Sequence, residues 1–173
     1  READFLALSA HKMYGPMGVG VLVGRGNRLG ETQPLVFGGE MVDRVTEEKA
    51  TFQSPPHCFE AGTPAASSVA AFPPALDLLE EFGLVAIRSH EKELLTGLIE
   101  GVSKIEGVSI VGPGDPEKQS GSVALSLDGR DPAVVATLLD LEGVAVRSGW
   151  LCAEPLLRQL GGPVLRASVA AYS

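Results

Sequence analysis

Short apolar runs separated by a polar turn open the chain. Residues 5–8 form a continuous apolar run, and residues 19–23 form a second one, rich in valine and bounded by glycines. Runs of this length predict buried strands. The segment 24–58 is rich in Gly, Pro, Gln and Thr and lacks periodicity, so we expect a long, irregular and mobile loop there. The pattern predicts two core strands joined by a turn over residues 9–18.

Apolar residues recur at helical spacing in the middle of the chain. A Pro-Pro pair precedes an apolar run over residues 75–82, which predicts a helix. From Leu84 the apolar positions keep the helical period as far as Ile105, with Glu and Lys between them, and Gly107 supplies a stop signal. We therefore expect two helices in succession.

Strand patterns return in the last third of the chain. Residues 109–111 and the alternating stretch 121–127 predict two strands. Asp131, followed by proline, predicts the N-cap of a helix that ends near residue 141. Residues 144–146 predict a further strand. This order of elements is typical of a compact α+β subdomain.

Composition and charge narrow the function classes. The chain has 173 residues, 45% of them hydrophobic and 21% charged, with a net charge of -8. This acidity argues against a nucleic-acid or anionic-membrane partner, and no apolar run approaches the roughly 20 residues of a membrane span. The two cysteines match neither a redox nor a zinc motif, which favours a reducing cytoplasm. The chain opens on Arg1 and is still apolar at its end, so we expect a piece of a longer protein.

Lys12 is the first candidate for chemistry, because it follows a predicted buried strand. A buried amine loses hydration, which lowers its pKa and makes it a nucleophile able to form a Schiff base with an aldehyde cofactor. Ser9 and His11 flank it and offer a hydroxyl and an imidazole to an anionic group. The alternative is a strand-end lysine whose amine reaches water.

Two further candidates lie in the last third. Cys152 follows a predicted strand in a loop, with Arg147 upstream, and a nearby cation favours a reactive thiolate. The alternative is a cysteine that packs as a small buried hydrophobe. Arg166 stands among apolar residues, where its planar fork matches a carboxylate ligand. The alternative for Arg166 is an internal salt bridge.

The stretch "FEAGTP" predicts a turn with a hydroxyl and backbone N–H groups that suit a phosphate. Thr63 supplies that hydroxyl. Cys58 and His57 precede the stretch, but adjacent residues rarely converge on one ion and no further ligands cluster nearby. We expect no metal site.

Four segments together form a recognisable pattern: "SAHKMYGPMGVGVL", "FEAGTP", "VRSGWLCAEP" and "LRASVAAY". Their order and spacing resemble the SufS-like cysteine desulfurases and selenocysteine lyases of the class V aminotransferase family, which depend on pyridoxal 5'-phosphate. The resemblance implies an α/β chain, the C-terminal part of a type I pyridoxal-phosphate transferase fold. Residues 1–75 would end the cofactor-binding large domain, and residues 76–173 would form a truncated α+β small domain.

The resemblance also implies roles around the cofactor. Lys12 would bind pyridoxal phosphate covalently, with Ser9 and His11 at its phosphate. Thr63 would reach the phosphate of the partner subunit's cofactor, since these enzymes are homodimers with shared sites.

The substrate side follows from the same resemblance. Arg166 would hold the α-carboxylate of an amino-acid substrate, with Arg147 also assigned to substrate binding. Cys152 would take sulfur from L-cysteine, which leaves alanine and an enzyme persulfide. The sulfur would pass to an acceptor protein, as in iron–sulfur cluster assembly in the cytoplasm.

Departures from the family pattern keep other functions open. Family members often have two histidines immediately before this cysteine, where this chain has Trp150 and Leu151, and an arginine where it has Cys58. A class V aminotransferase or lyase that does not use Cys152 is one alternative, and a non-catalytic scaffold is another. The family's aspartate at the pyridine nitrogen and its ring-stacking histidine have no counterpart here. We therefore expect these 173 residues in isolation to have no turnover.

Overall fold

A computed structural model describes residues 3–173 and shows a mixed α/β chain that divides into two compact units. Unit 1 ends at Phe82, and unit 2 runs from Gly83 to Ser173. The domain boundary predicted between residues 75 and 76 falls inside a helix of unit 1, and that boundary stays a prediction.

Unit 1 begins with an antiparallel hairpin of β1 (Phe5–Ser9) and β2 (Gly20–Gly24). The strands form where the apolar runs predict them, but the prediction that they are buried is wrong. Leu6 and Leu22, for example, are 57% and 56% exposed. Within the described residues the hairpin is a separate two-stranded sheet, and its apolar side chains lie largely open to solvent.

The segment predicted to be irregular contains regular structure, so that prediction is wrong. It holds α1 (Gly26–Glu31) and a second antiparallel hairpin of β3 (Val42–Val45) and β4 (Ala50–Phe52). The Thr46 hydroxyl accepts hydrogen bonds from the N–H groups of Glu48 and Lys49 and closes the turn between these strands. Elements of three to six residues are too short to produce a readable period.

Helix α2 (Ala66–Phe82) begins nine residues before the predicted start at residue 75. Pro73 and Pro74 lie inside this helix rather than ahead of it. Phe72, which is 8% exposed, anchors the first part of the helix beside Gly15. Burial of this side chain stabilises turns that the prolines alone would disfavour.

Unit 2 is built on a four-stranded antiparallel sheet in the order β5-β6-β8-β7. Its strands are β5 (Val108–Val111), β6 (Ser122–Leu127), β7 (Arg147–Gly149) and β8 (Val164–Ser168). Its helices are α3 (Leu84–Val102), α4 (Pro132–Leu141) and α5 (Glu154–Gln159). The core consists of one leucine of α3 and three side chains of the two central strands: Leu95, Val123, Leu125 and Leu165.

The capping prediction in unit 2 is confirmed. Of the strands, one lies at a different position from the prediction and one is missing from it. Asp131 Oδ1 accepts a 2.8 Å hydrogen bond from the N–H of Ala133 at the start of α4. The strand predicted over 144–146 lies three residues later, at β7, and β8 was not predicted at all. The two strands pair with each other, with Arg147 opposite Arg166. Such a pairing between distant residues cannot be recognised from the local sequence.

None of the helices in residues 3–173 combines the length and apolar character needed to cross a membrane.

Candidate active site

The turn that carries Lys12 is fixed by one buried alanine. Ala10 is fully buried, and its carbonyl accepts hydrogen bonds from the N–H of Met13 at 2.8 Å and of Gly15 at 2.9 Å. Its own N–H donates to Val19 O at 3.1 Å, which ties the turn to the approach to β2. Residues 10–12 thereby form one short 3-10 turn directly after β1. The turn faces the solvent with His11 and Lys12, and the peptide group of Ala10 holds it in place.

Two glycines make this close packing possible. A methyl group built on Gly20, which pairs with Ser9, would lie 2.7 Å from Leu8 O. One built on Gly15 would lie 2.7 Å from Phe72 Cδ2. Real Cβ atoms do not approach this closely, so a side chain at either position would displace the lysine turn.

The structure brings two of the predicted cofactor residues to one place. Ser9 and Lys12 line a single open depression of about 330 Å³, together with Ala7, Leu8 and Met13. The prediction of a buried lysine is wrong, because Lys12 is exposed. The residues of unit 1 leave one side of the turn uncovered, so the amine keeps its access to water. His11 is exposed and is not among the residues that line the depression.

Thr63 lies on the predicted turn just before α2. It is exposed, and the preceding Gly62 has a left-handed φ of 83°. The N–H of Gly62 donates to Gly39 O at 2.9 Å, which anchors the turn to the segment before β3. Cys58, earlier in the same segment, is buried. Within residues 3–173, no three potential ligands among Cys, His, Asp and Glu converge on a common point.

Unit 2 places the two predicted arginines side by side. Arg147 on β7 and Arg166 on β8 are direct cross-strand partners, so both side chains leave the same face of the sheet. Like charges in this position repel each other. Arg166 Nε is buried and has no hydrogen-bond partner, and the described residues give Arg166 no ion pair. Within residues 3–173 the predicted alternative, an internal salt bridge, therefore finds no acidic partner, and the pair suits an anionic ligand.

Cys152 projects from the loop that follows β7 and is exposed, so the alternative of a buried hydrophobe is wrong. Arg147 Nη2 lies 3.7 Å from Cys152 Sγ, within donor distance for a sulfur acceptor. The loop is strained, since Leu151 and Cys152 have φ values of 51° and 63°. Non-glycine residues adopt such values at a cost, and they concentrate at functional sites.

A neighbouring cluster was not predicted from the sequence. Arg158 of α5 stacks on the Trp150 ring, with its guanidinium carbon 5.1 Å from the ring centroid. Its Nε also donates to Glu154 Oε1 at 3.1 Å. The spacing of Glu154 and Arg158, one helical turn apart, is the signal that could have indicated the ion pair. The contact with Trp150 depends on the fold of the loop and has no such signal.

Comparison with known proteins shows the family of this chain. The model of the aminotransferase class-V family matches residues 1–173. The chain belongs to the class V aminotransferase family. The resemblance inferred from the four sequence segments is thereby confirmed.

Known proteins resemble the chain over nearly its whole length. The chain is 42% identical over 171 residues to probable cysteine desulfurase 2 of Mycobacterium leprae, an alignment that covers 98% of this chain and 41% of that protein. It also matches the apo structure of a cysteine desulfurase from Thermococcus onnurineus NA1, with a TM-score of 0.92 and 35% identity over 98% of this chain and 43% of that one.

A second solved structure gives the same result. The cysteine desulfurase CsdA of Escherichia coli matches with a TM-score of 0.88 and 35% identity, covering 98% of this chain and 42% of that one. The chain therefore spans somewhat over two fifths of the length of the proteins it resembles. The predicted α/β class and transferase fold are confirmed for that matched part.

Proposed function

We propose that this chain contributes the cofactor lysine, the carboxylate-binding arginine and the sulfur-accepting cysteine to a pyridoxal-phosphate-dependent cysteine desulfurase. The observation that carries the proposal is in unit 2. There Arg166 presents a buried, unpartnered Nε on the same sheet face as Arg147, whose Nη2 reaches Cys152 Sγ at 3.7 Å. An arginine with an unsatisfied Nε, opposite a second arginine that contacts a thiol, suits an amino-acid substrate with a β-sulfur.

The residues of unit 1 fit the cofactor. Lys12 offers an exposed amine at a depression that Ser9 also lines, and the Thr63 hydroxyl stands exposed on a turn. In this assignment Ser9, His11 and Thr63 are the phosphate contacts, with Thr63 serving the second subunit of a homodimer. When bound, pyridoxal phosphate supplies an electron sink for bonds broken at the substrate α-carbon.

The chain's own residues divide the remaining work. Arg166 binds and orients the substrate carboxylate, because its planar fork makes two parallel hydrogen bonds to a planar anion. Lys12 Nζ takes the proton from the substrate Cα and later returns it. Binding of the carboxylate needs a fixed arginine, and transfer of the proton needs an amine that can move.

Cys152 completes the transfer by attack of its thiolate on the substrate sulfur. A new S–S bond forms and the Cβ–S bond of cysteine breaks. The electron pair of the broken bond takes up one of the two thiol protons and becomes a C–H bond of the methyl group of alanine. The enzyme keeps one added sulfur as a persulfide, so atoms balance without an external oxidant. Arg147 donates a hydrogen bond to Sγ, which orients the attacking sulfur and places a positive charge beside it.

The finer assignments belong to the same proposal. We place the protein in the cytoplasm, as a homodimer that passes its sulfur to an acceptor protein in iron–sulfur cluster assembly. Selenocysteine would suit the same site, because selenium replaces sulfur at the same atom of the substrate. The exposure of Cys152 supports delivery to a macromolecular acceptor, which could not reach a buried thiol.

The test uses the full-length protein that contains these residues. With pyridoxal phosphate present, borohydride reduction is expected to leave the pyridoxyl label on Lys12 and not on Lys49, an exposed lysine of the same unit. L-cysteine is then expected to yield alanine and a persulfide on Cys152. Label on Lys49 alone, or alanine without persulfide, would contradict the proposal.

A class V aminotransferase or lyase that does not use Cys152 is the second candidate. The observation that favours it is the pair Trp150 and Leu151, where family members often have imidazoles. Replacement of Cys152 by alanine separates the two functions, with Cys58→Ala as the matched control. A desulfurase loses sulfur transfer only in the Cys152 variant, whereas the alternative enzyme keeps its activity in both.

A further inference from the structure

The turn that presents Cys152 has no residue suited to its conformation. The N–H of Ala153 donates to Trp150 O at 2.8 Å and closes a four-residue turn. Both central residues, Leu151 and Cys152, have left-handed φ values. Such turns are normally built from Gly, Asn or Asp, since a Cβ atom crowds the backbone there. Contacts from outside the turn must therefore hold it.

Those contacts come from α5. The Trp150 ring lies against the Arg158 guanidinium, whose carbon is 5.1 Å from the ring centroid. Glu154 fixes Arg158 from the other side, since its Oε1 accepts from both Nε at 3.1 Å and Nη2 at 2.5 Å. Leu157, which is 5% exposed, anchors α5 to the body of unit 2. The first residue of the turn is thus tied to a helix that has one buried side chain.

We infer that the stack of Trp150, Arg158 and Glu154 is a positioning device, which holds the strained turn so that Cys152 Sγ stays beside Arg147. The stack fixes the first residue of the turn. The Cys152 thiol makes one polar contact, in which Sγ lies 3.7 Å from Arg147 Nη2. Without the stack, Leu151 and Cys152 relax toward ordinary negative φ values, and Sγ moves away from the guanidinium. Trp150 and Arg158 are positioning residues here, because neither touches the reacting sulfur.

Two features of the composition make this inference measurable. Trp150 is the single tryptophan of these 173 residues, and the difference in emission between each variant and the wild type reports the stack. Of the two cysteines, Cys58 is only 5% exposed whereas Cys152 is exposed, and peptide mapping distinguishes their adducts. Both readouts work on the full chain without substrate or cofactor. A negative result here therefore leaves the proposed desulfurase function untouched.

The assay compares two aromatic disulfides that react with the same thiol. One is the dianion 5,5'-dithiobis(2-nitrobenzoate), and the other is neutral 4,4'-dithiodipyridine. The ratio of their rates at Cys152 cancels the thiolate fraction and reports the cation beside Sγ. Arg147→Met is expected to lower this ratio about fivefold, the factor for one charge pair in contact in water. Arg130→Met, a change of an exposed arginine, is expected to leave the ratio unchanged.

Trp150→Leu is the decisive variant, because it removes the stack without changing any charge. We expect it to lower the ratio to the level of Arg147→Met. Arg158→Met is expected to do the same and to shift Trp150 emission to the red, while Arg158→Lys, which keeps the cation, retains both signals. The inference is overturned if Trp150→Leu keeps the wild-type ratio, or if Arg158→Met shifts the emission but leaves the ratio unchanged. The Arg158 pair decides the question if Trp150→Leu does not fold.

Discussion

Replacement of Arg166 by methionine is expected to stabilise the protein while it removes the proposed carboxylate site. The arginine lies in β8, one of the two central strands of the sheet, directly opposite Arg147, and its Nε is buried without a partner. Methionine keeps an unbranched side chain of similar reach and leaves no donor unsatisfied. The variant therefore removes two unfavourable features and keeps most of the packing.

The size of the effect follows from these two features. An unsatisfied buried donor costs about 1–3 kcal/mol, and we take about 1 kcal/mol because Arg166 as a whole is only half-buried. The opposition of like charges across paired strands adds about 0.5 kcal/mol. Arg166→Met should therefore raise the free energy of unfolding by about 1.5 kcal/mol, which corresponds to about 3–6 °C in Tm for a chain of this size.

Urea denaturation and calorimetry measure the change directly. Arg130→Met, on an exposed turn, serves as the control and should stay within about 0.5 kcal/mol of the wild type. A double-mutant cycle with Arg147→Met isolates the charge opposition as a coupling of about 0.2–1 kcal/mol. If Arg166→Met lowers the stability by 1 kcal/mol or more, the arginine is a structural group and the reasoning for an anion site fails.

Three further predictions concern the framework of unit 2. Leu95→Ala should cost about 2–5 kcal/mol in urea unfolding, because this fully buried side chain fills the space between α3 and the sheet. Asp131→Ala should cost about 0.5–2 kcal/mol in the same assay, since it removes the cap on Ala133 N. The N–H of Glu117 and the Lys118 amine lower the pKa of Asp115 below its ordinary value of 3.8, so Asp115→Asn should destabilise at neutral pH. This deficit should vanish in acid.

Each of these predictions has a matched control or a defined sign. Val85→Ala changes an 86% exposed residue of the same helix as Leu95, and a comparable loss there would contradict the core assignment. Asp128→Ala, on the exposed turn before α4, should have little effect, and a loss equal to that of Asp131→Ala would argue against a specific cap. For Asp115 the folded pKa is the lower one, so its contribution is present above pH 3.8 and lost as pH falls through the folded value. A deficit that persists or grows in acid contradicts the assignment.

Local signals in the sequence were sufficient for helices α3 and α4 of unit 2. The helical spacing of the apolar residues and the glycine stop predict the helix from Leu84, and Asp131 followed by proline predicts the start of α4. These signals act between residues a few positions apart, so they survive without knowledge of the fold. Lys12, Cys152 and Arg166 were likewise proposed from the chemistry of isolated cations and thiols, and their roles stay a proposal.

Contacts between distant residues decided the rest. The start of α2 depends on the burial of Phe72, and the short strands β3 and β4 depend on each other for their hydrogen bonds. The exposure of Lys12 depends on which residues pack over the hairpin, and this packing cannot be predicted from the pattern of apolar residues.

The sequence by itself determined the family, through the order and spacing of four segments that resemble it. It also determined the residue types of the proposed site, because a nucleophile, a cation and a thiol are chemical properties of single side chains. Only the tertiary structure set Arg147 opposite Arg166, brought the guanidinium of Arg147 to Cys152 Sγ, and laid Arg158 on Trp150. The physical reason is that strand register and loop closure are settled by the whole sheet at once, so no local stretch of residues encodes them.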